Sequence, residues 1–469
     1  GIEAQLEAKE IMASDKNILK PGSGDPTVAS NPLDIILGCF WITKDVSGEK
    51  GEGKIFEDPT SAITANNFGA ISYRAKIKIV PPNTPKFAEF GGKMLETSVG
   101  RILFNELLPE DYPYINKEID RKRLNIIIDD FINIYDISKI PPVLDKIKTF
   151  GFKYTTHSGT TWGIDDVKVP PGKHDVIAKA KKQSDLIMHQ FSEGLLTDEE
   201  RFRKNIEIWH KAKNDVEKLI PGSLDKMGSV HDMFTSGARG SIAQITQMAG
   251  MKGLISSTTG TIEFPILSCS KEGLTPIEYF ITTHGSRKGL TDTALNTAKA
   301  GYLTRKLFVV AQDVMINEDD CGTKESIEIK KQTASGIDIP LSKSIRGRVI
   351  ASDISTSLGT VLFKKGHLLT KQEALKVEEA GVTSVRVRSP LSCKSIKGVC
   401  AQCYGIDLGK NKLVELGEAV GTIAGQAIGE PGTQLTMRTF HAGGTASVGG
   451  DITMGLPRVE EIFEKRRPK

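Results

Sequence analysis

Hydrophobic and polar positions recur with different periods along the 469-residue chain, and the changes of period divide it. Ala4 to Met12 reads as a helix. A Pro/Gly/Ser-rich stretch follows, then an apolar run at Asp34–Phe40 that predicts a strand. From 46 to 155 short β-type runs, Ala75–Val80 and Arg123–Ile128, mix with turns, and an irregular α+β region is expected. Residues 173–219 change character. Two amphipathic helical stretches flank Ser192-Glu193-Gly194, and the second opens at Thr197 with Glu200 three residues on, which is a capping box. That pattern predicts a helical hairpin.

Residues 276–312 carry the most distinctive pattern. Thr275 can cap a helix, Pro276 suits its first turn, and Glu278 completes a second capping box. A helix of this length spans roughly 55 Å at 1.5 Å per residue. Gly285, Gly289 and Gly301 weaken it by up to about 1 kcal/mol each relative to alanine. Close packing and bending are both open readings of those glycines. Residues 341–392 return to short β-type alternation (Gly347–Ala351; Val382–Val387). From 413 an Ala/Gly-rich helix is expected, then a break at Gly429-Glu430-Pro431-Gly432 and a second short helix to His441. A loose stretch, Gly443-Gly444 through Gly449-Gly450, follows. The expected class is α+β and multi-module: an irregular mixed region, a long helical hairpin, a long bridge-type helix, a small β module and a helical hairpin near the end.

Composition narrows the class. At 39% hydrophobic and 26% charged the chain is globular rather than disordered, with length for about three domains. No run approaches about 18 uninterrupted apolar residues, so no membrane span is expected. The opening Gly1-Ile2-Glu3-Ala4 has no apolar signal core, and a first residue other than Met suggests a fragment or a processed product. The 62 basic and 58 acidic residues leave a net charge of +4. A protein that coats DNA non-specifically would be far more basic, so nucleic-acid contact must come from local patches.

Six cysteines are too few for a disulfide scaffold. Four stand apart: Cys321, then Cys393, Cys400 and Cys403 as C-x6-C-x2-C. A C-x2-C turn brings two sulfurs to one metal, and four thiolates bind zinc tetrahedrally in a closed, structural site. Gly398 and Gly405 flank the cluster, as tight knuckles require. The alternative is a scatter of buried thiols. That reading is preferred for Cys39 and Cys269, which sit in apolar runs.

Gln434, Met437, Arg438 and His441 stand at i, i+3, i+4 and i+7 and share one helical face. Together they suit a nucleoside triphosphate: Met437 for the base, Gln434 for sugar hydroxyls, Arg438 and His441 for phosphate oxygens. His441 could donate a proton to a leaving pyrophosphate or simply position it. The break before this helix and the glycines after it would let it work as a lid. From spacing alone, an ordinary surface histidine is the commoner outcome. No phosphate-binding loop of the G-x4-G-K-[ST] type is present. The acidic pairs Asp129-Asp130, Asp165-Asp166 and Asp319-Asp320 form no cluster that would hold Mg²⁺ for nucleotidyl transfer.

At this point a family can be named. Thr433-Gln-Leu-Thr-Met-Arg-Thr-Phe-His441, preceded by Gly429-Glu-Pro-Gly432, closely resembles the trigger loop of the bacterial DNA-directed RNA polymerase beta-prime family. Tyr279-Phe-Ile-Thr-Thr-His-Gly-Ser-Arg-Lys-Gly-Leu-Thr-Asp-Thr-Ala-Leu295, running on to Gly301-Tyr-Leu-Thr-Arg305, resembles its bridge helix. Ser236–Ser241 through Gly250–Gly253 is similar to the loop that braces that helix, and the four cysteines match the second zinc site. The segments keep the family's order, and the resemblance runs from end to end.

The resemblance implies a division into 1–45, the end of an active-site module; 46–155, a funnel-like region; 156–220, a rim-helix hairpin where secondary-channel factors dock; 221–315, the bracing loop and bridge helix; 316–412, a small β module with the zinc site; and 413–469, the trigger loop and the start of a clamp segment. It implies that Thr297 and Ala298 face the nucleotide-addition register. It makes Arg287, Lys288 and Arg305 candidates for backbone or phosphate contacts with nucleic acid. It implies structural Zn²⁺, and catalytic Mg²⁺ whose ligands lie outside this chain. The partners implied are the beta, alpha, omega and sigma subunits, DNA template, RNA transcript and NTPs, in a cytoplasmic, nucleoid-associated enzyme with no membrane role. The expected function is DNA-templated RNA synthesis by nucleotidyl transfer. This chain, read as an internal fragment of the largest subunit, would supply bridge helix and trigger loop for substrate positioning and translocation. The alternative is a catalytically inert, zinc-stapled scaffold or factor-docking module.

Overall fold

A computed structural model describes residues 1–26, 33–257, 260–331, 339–356, 360–441 and 455–465. The side chains of 137, 257, 260, 261 and 433–441 lie outside the description. The chain is mixed α+β, with long helices and small two- and three-stranded sheets. It divides into two compact units: Pro26–Thr291 with Thr439–Ile452, and Gly1–Asp25 with Asp292–Arg438 and Thr453–Lys469.

The first of these units is built on a helix the apolar pattern did not predict. Asp34–Phe40, expected as a strand, lies inside the helix Leu33–Thr43. Eight of its residues are buried, including Ile35, Ile36, Leu37, Cys39 and Phe40. A short run that is apolar on every side has no period to read, so strand and buried helix look alike. Its partner is the helix Ile140–Ser158. A Cβ on Gly38 would lie 2.0 Å from the Gly151 carbonyl oxygen, and one on Gly151 would lie 2.6 Å from Ile35 Cα. The two backbones therefore meet in direct contact. Arg123–Ile128, also expected as a strand, lies inside the helix Arg121–Ile134. Asp120 caps it through the Arg123 N–H at 2.8 Å. Its buried positions, Leu124, Ile127, Ile128 and Phe131, keep helical spacing. The isoleucine run favoured β locally, and burial of this stripe overrode it.

Ala75–Val80 does contain a strand, Ile77–Ile79, which pairs parallel with Ile55–Phe56 and antiparallel with Leu95–Thr97. Ile77, Ile79, Leu95, Val99 and Ile102 form the core beneath it. The predicted hairpin is present as helices Lys173–Ser192 and Asp198–Ser223. Thr197 and Glu200 make the reciprocal cap, at 3.3 and 3.0 Å, and Gly194 takes φ +77° in the turn. At the base, Ala180, Trp209, Ala212 and Val216 pack with Met251 and Leu254. Leu186, Met188 and Leu195 are left exposed toward the tip.

The long helix is Pro276–Ala311, close to the expected 276–312; the division between units falls after Thr291. In the other unit, Ile316–Glu318 pairs parallel with Val399–Cys400, and Ile327–Lys330 pairs antiparallel with Ser384–Val387. Leu341, Ile345, Ile350, Leu369, Val377 and Val385 form its core. The N-terminal segment is helical from Ile2 to Glu7 and continues as a π-helical turn through Met12, with every residue exposed.

The helix after residue 413 corrects the sequence reading. Val420–His441 is one continuous helix with Pro431 inside it, not two helices broken at Gly429–Gly432. Glycine and proline weaken a helix locally, but here three glycines face the long helix. Cβ atoms on Gly421, Gly425 and Gly429 would meet Ala311, Phe308 and Thr304 at 1.9, 3.3 and 2.3 Å. Tertiary contact along this seam holds the helix through the residues that would otherwise end it. The loose stretch expected at Gly443–Gly450 lies outside the described residues.

Candidate functional site

Two small strands and two turns bring the four cysteines together. Cys321 follows the strand Ile316–Glu318, and Cys393 follows a short 3₁₀ turn, Pro390–Ser392. Cys400 ends its strand and caps the short helix Ala401–Tyr404, which carries Cys403. Gly398 and Gly405 take φ +75° and +94°. A Cβ there would lie 2.0 Å from the Met315 carbonyl oxygen and 2.2 Å from that of Gly347. Both knuckle glycines are thus required by conformation and by space.

The four sulfurs lie within 4.8 Å of one another. Cys321 Sγ is 3.8 Å from Cys403 Sγ and 3.7 Å from Cys393 Sγ. A tetrahedron with metal–sulfur bonds of 2.3 Å has edges of about 3.8 Å, so the cluster can hold a metal ion. The electrostatics agree. Burial alone would raise the Cys321 thiol, but the backbone N–H groups of Lys394 and Thr323, together with the Cys400 and Cys393 side chains, outweigh it and bring it down to about 6. Burial pushes the Cys403 and Cys400 thiols up. A coordinated cation would reverse that, since metal ligation deprotonates a thiol outright. Cys39 and Cys269 are buried elsewhere, as expected for core packing.

The long helix is anchored at its start by Glu278. Its carboxylate accepts from the backbone N–H groups of Leu267, Ser268 and Thr275 at 3.0, 3.2 and 2.9 Å and from the Thr275 hydroxyl at 2.9 Å. Burial would raise this carboxyl, but those donors hold it down at about 2. Lys288 is half-buried and donates to the Ser256 hydroxyl at 3.2 Å, which ties the helix to the strand Gly253–Ser257. Arg287 is exposed. Beyond Asp292, Ala294, Ala298, Gly301 and Arg305 recur at helical spacing and are all exposed, and Thr297 beside them is exposed too. The opposite face is covered: Ala300 and Leu303 pack under Leu456. That face of the helix is uncovered, and the small residues and Arg305 are flanked by Leu295 and Tyr302, which are exposed as well. The backbone of Gln434, Met437, Arg438 and His441 is helical; their side chains lie outside the described residues.

Comparison with known proteins now decides the family. Three family models match in succession: "RNA polymerase Rpb1, domain 3" over residues 17–167, "domain 4" over 192–286 and "domain 5" over 273–468. The "DNA-directed RNA polymerase subunit beta'" of Desulforamulus reducens is 47% identical over 476 residues, taking in 100% of this chain and 39% of that protein. Those of Caldanaerobacter subterraneus and a Thermoanaerobacter species are each 45% identical, over 100% of this chain and 40% of theirs. The chain belongs to the RNA polymerase beta-prime family. It spans about 40% of the length of these curated relatives.

Within this beta-prime chain, sequence reasoning missed two functional-site contacts. The capping box at Glu278 was legible, but its grip on Leu267 and Ser268 joins residues whose pairing no local pattern encodes. The other is Arg388, whose Nη2 lies 3.4, 3.6 and 3.3 Å from the sulfurs of Cys321, Cys400 and Cys403. Strand alternation gave the wrong signal there: Val385 and Val387 are buried and Arg386 exposed, which puts Arg388 on the solvent side. The strand ends at Val387, and the alternation ends with it.

Proposed function

We propose that this chain supplies moving and positioning parts of a DNA-directed RNA polymerase. The reaction is attack of an RNA 3′ hydroxyl on the α-phosphorus of a templated NTP, with pyrophosphate leaving. The observation that carries the reading is the succession of three Rpb1 domain matches from residue 17 to 468 in one chain. The uncovered face of the long helix supports it, because Ala294, Ala298, Gly301 and Arg305, flanked by Leu295 and Tyr302, offer nucleic acid small residues, apolar contact and a cation. On this reading Thr297 and Ala298 lie at the nucleotide-addition register, and Arg287, Lys288 and Arg305 meet phosphates. Met437 packs on the incoming base, Gln434 reaches the ribose, and Arg438 and His441 hold the triphosphate. Positioning and charge stabilisation of this kind act on the transition state. The module boundaries follow the division implied by the family.

The cysteine cluster is proposed as a structural zinc site, because four thiolates leave no open position. Catalytic Mg²⁺ is assigned to ligands outside this chain. The proposed partners are the beta, alpha, omega and sigma subunits, secondary-channel factors at the 173–219 hairpin, DNA and RNA, in the cytoplasm at the nucleoid. Among the described residues, no helix is long and apolar enough to cross a membrane.

The test is single-nucleotide addition by the assembled polymerase carrying His441→Ala or Met437→Ala. A loss of about 10²-fold or more is expected, in line with positioned acid–base and electrostatic groups. A change below about threefold in both variants, well under what such groups contribute, would overturn this reading in favour of an inert scaffold.

A further inference from the structure

One buried cation beside the tetrathiolate cluster is not a ligand. Arg388 is 9% exposed. Its Nη2 lies within 3.3–3.6 Å of the sulfurs of Cys321, Cys400 and Cys403 and 2.6 Å from Asp320 Oδ1. A single nitrogen thus reaches three of the four sulfurs. Geometry settles on which side it stands. Three corners of a tetrahedron with edges of about 3.8 Å leave two positions equidistant at that range. One lies outside the shared face, and the other nearly coincides with the fourth corner. The fourth corner is held by Cys393, 3.7 Å from Cys321. The guanidinium therefore caps the outer face, and the centre stays free for an ion.

The charge count gives that position a purpose. Four thiolates around a divalent cation sum to −2, and the Arg388–Asp320 pair adds no net charge; what it gives the sulfurs is its positive end, since the guanidinium is buried against them while the Asp320 carboxylate is half-exposed to solvent, which screens it. A guanidinium stays protonated; here Nη2, with two hydrogens, is shared between the Asp320 carboxylate and the three nearby sulfurs, while the buried Nε has no hydrogen-bond partner. Hydrogen bonds to a thiolate draw charge from it and make it a weaker nucleophile. The two Nη2 hydrogens cannot bond three sulfurs and Asp320 separately, but the positive charge stands 3.3–3.6 Å from all three sulfurs and acts on each, and Cys393 is the sulfur outside that contact. It and Cys321 are both half-buried, whereas Cys400 and Cys403 are buried. Accessibility therefore does not separate Cys321 from Cys393, but the Arg388 contact does.

We propose that Arg388, held by Asp320, is a positioning residue of the metal centre: it shields three of the four cysteine sulfurs, slows loss of the ion, and leaves Cys393 as the thiolate that electrophiles reach first. The inference rests on the zinc reading of the cluster given above.

The experiment uses the assembled polymerase in wild-type, Arg388→Gln, Arg388→Lys and Asp320→Asn forms, with Cys403→Ser marking the zinc equivalent that belongs to this site. Iodoacetamide is added, zinc release is followed with a chromogenic chelator, and the alkylated cysteines are mapped by mass spectrometry. In the wild type Cys393 is modified first. Arg388→Gln releases zinc about tenfold faster, as expected when a charge-assisted hydrogen bond is lost, and Cys321 is modified alongside Cys393. Arg388→Lys, which keeps the charge and loses the reach of the planar guanidinium, and Asp320→Asn, which keeps the guanidinium and loses its charged anchor, shift both readouts in the same direction by less. Should Arg388→Gln fail to assemble, the Lys and Asn variants carry the test. Release within twofold of wild type, with Cys393 still first in every assembled variant, overturns the inference and leaves the zinc reading intact. No zinc equivalent lost on Cys403→Ser refutes the zinc reading and the inference with it.

Discussion

A single added methyl group at Gly421 should loosen the seam between the helix Val420–His441 and the long helix Pro276–Ala311. A Cβ built there lies 1.9 Å from the Ala311 carbonyl oxygen and 2.9 Å from its carbonyl carbon and from Val314 Cβ. Ordinary C···O contacts begin near 3.3 Å, so the helix must retreat by about 1.4 Å. A gap of 0.5–1 Å already forfeits a quarter to a half of each dispersion contact, and overpacking alone costs about 1–3 kcal/mol. We expect Gly421→Ala to cost more than about 3 kcal/mol on these grounds. The same helix supplies its own controls. At Gly429 the new Cβ meets Thr304 Oγ1 at 2.3 Å and Cγ2 at 2.4 Å; both branches point at it, so rotation of Thr304 gives no escape, and about 2 kcal/mol is expected. At Gly425 the nearest atoms are the Phe308 Cα and N at 3.3 Å. A shift of a few tenths of an ångström suffices, and the gain in helix propensity of about 1 kcal/mol nearly offsets it. At Gly432 the neighbours stand at 3.7 Å and beyond, so alanine should stabilise by up to about 1 kcal/mol. Urea unfolding of the four variants should rank them Gly421, Gly429, Gly425, Gly432 from most to least damaging. Thr304→Ala should recover part of the loss in Gly429→Ala and none in Gly421→Ala. A ranking in which Gly421→Ala is neutral, or in which all four cost alike, would refute the close-contact argument.

Two further outcomes follow from buried charges. Glu278 has its folded-state acidity held at about 2, below the usual carboxylate range, by four donors that outweigh its burial. Its contribution is fully present above the unfolded-state value and is lost as pH falls through the folded one. Glu278→Gln should therefore destabilise by about 3 kcal/mol at neutral pH, with the difference from wild type shrinking between about pH 4.5 and 2; urea titrations that give a pH-independent difference would contradict this. Asp232 pairs with Lys44, whose side chain is 8% exposed. Asp232→Ala strands that ammonium and should cost about 3–5 kcal/mol, whereas replacing both partners by apolar residues of similar volume should cost far less; thermal unfolding distinguishes the two, and equal losses would count against a stranded charge.

Elements that carry their own punctuation were legible in the sequence. The hairpin at 173–219 and the long helix announce themselves through Thr197 with Glu200 and Thr275 with Glu278, because a capping box satisfies orphan N–H groups within four residues of chain. The cysteine cluster was legible for a similar reason: C-x2-C fixes two sulfurs locally, and the chemistry of thiolates makes the rest of the set easy to find. Asp34–Phe40 and Arg123–Ile128 were misread as strands. The first run is apolar on every side and so has no period. In the second, three adjacent isoleucines mask a buried stripe that becomes visible only over the full helix.

What the tertiary structure alone decided has a common physical cause: each case pairs residues far apart in the chain. Gly429-Glu430-Pro431-Gly432 reads as a helix break, and Gly421 and Gly425 as part of the Ala/Gly-rich helix before it. Against Ala311, Phe308 and Thr304, Gly421, Gly425 and Gly429 are what lets the two helices approach closely, and the contact outweighs the intrinsic penalty. Likewise Glu278 reads as a cap and becomes a clamp only when Leu267 and Ser268 are folded against it. Arg388 carries no signal of its own in the sequence; packing sets its guanidinium within 3.3–3.6 Å of three of the four sulfurs. Sequence by itself determined the capped helices, the set of cysteines that gathers into one cluster and the family, because those depend on short-range spacing and residue chemistry. Which weak local signals were overridden was set by long-range packing, since the free energy of burying backbone and charge against a distant partner exceeds the propensity of any single residue.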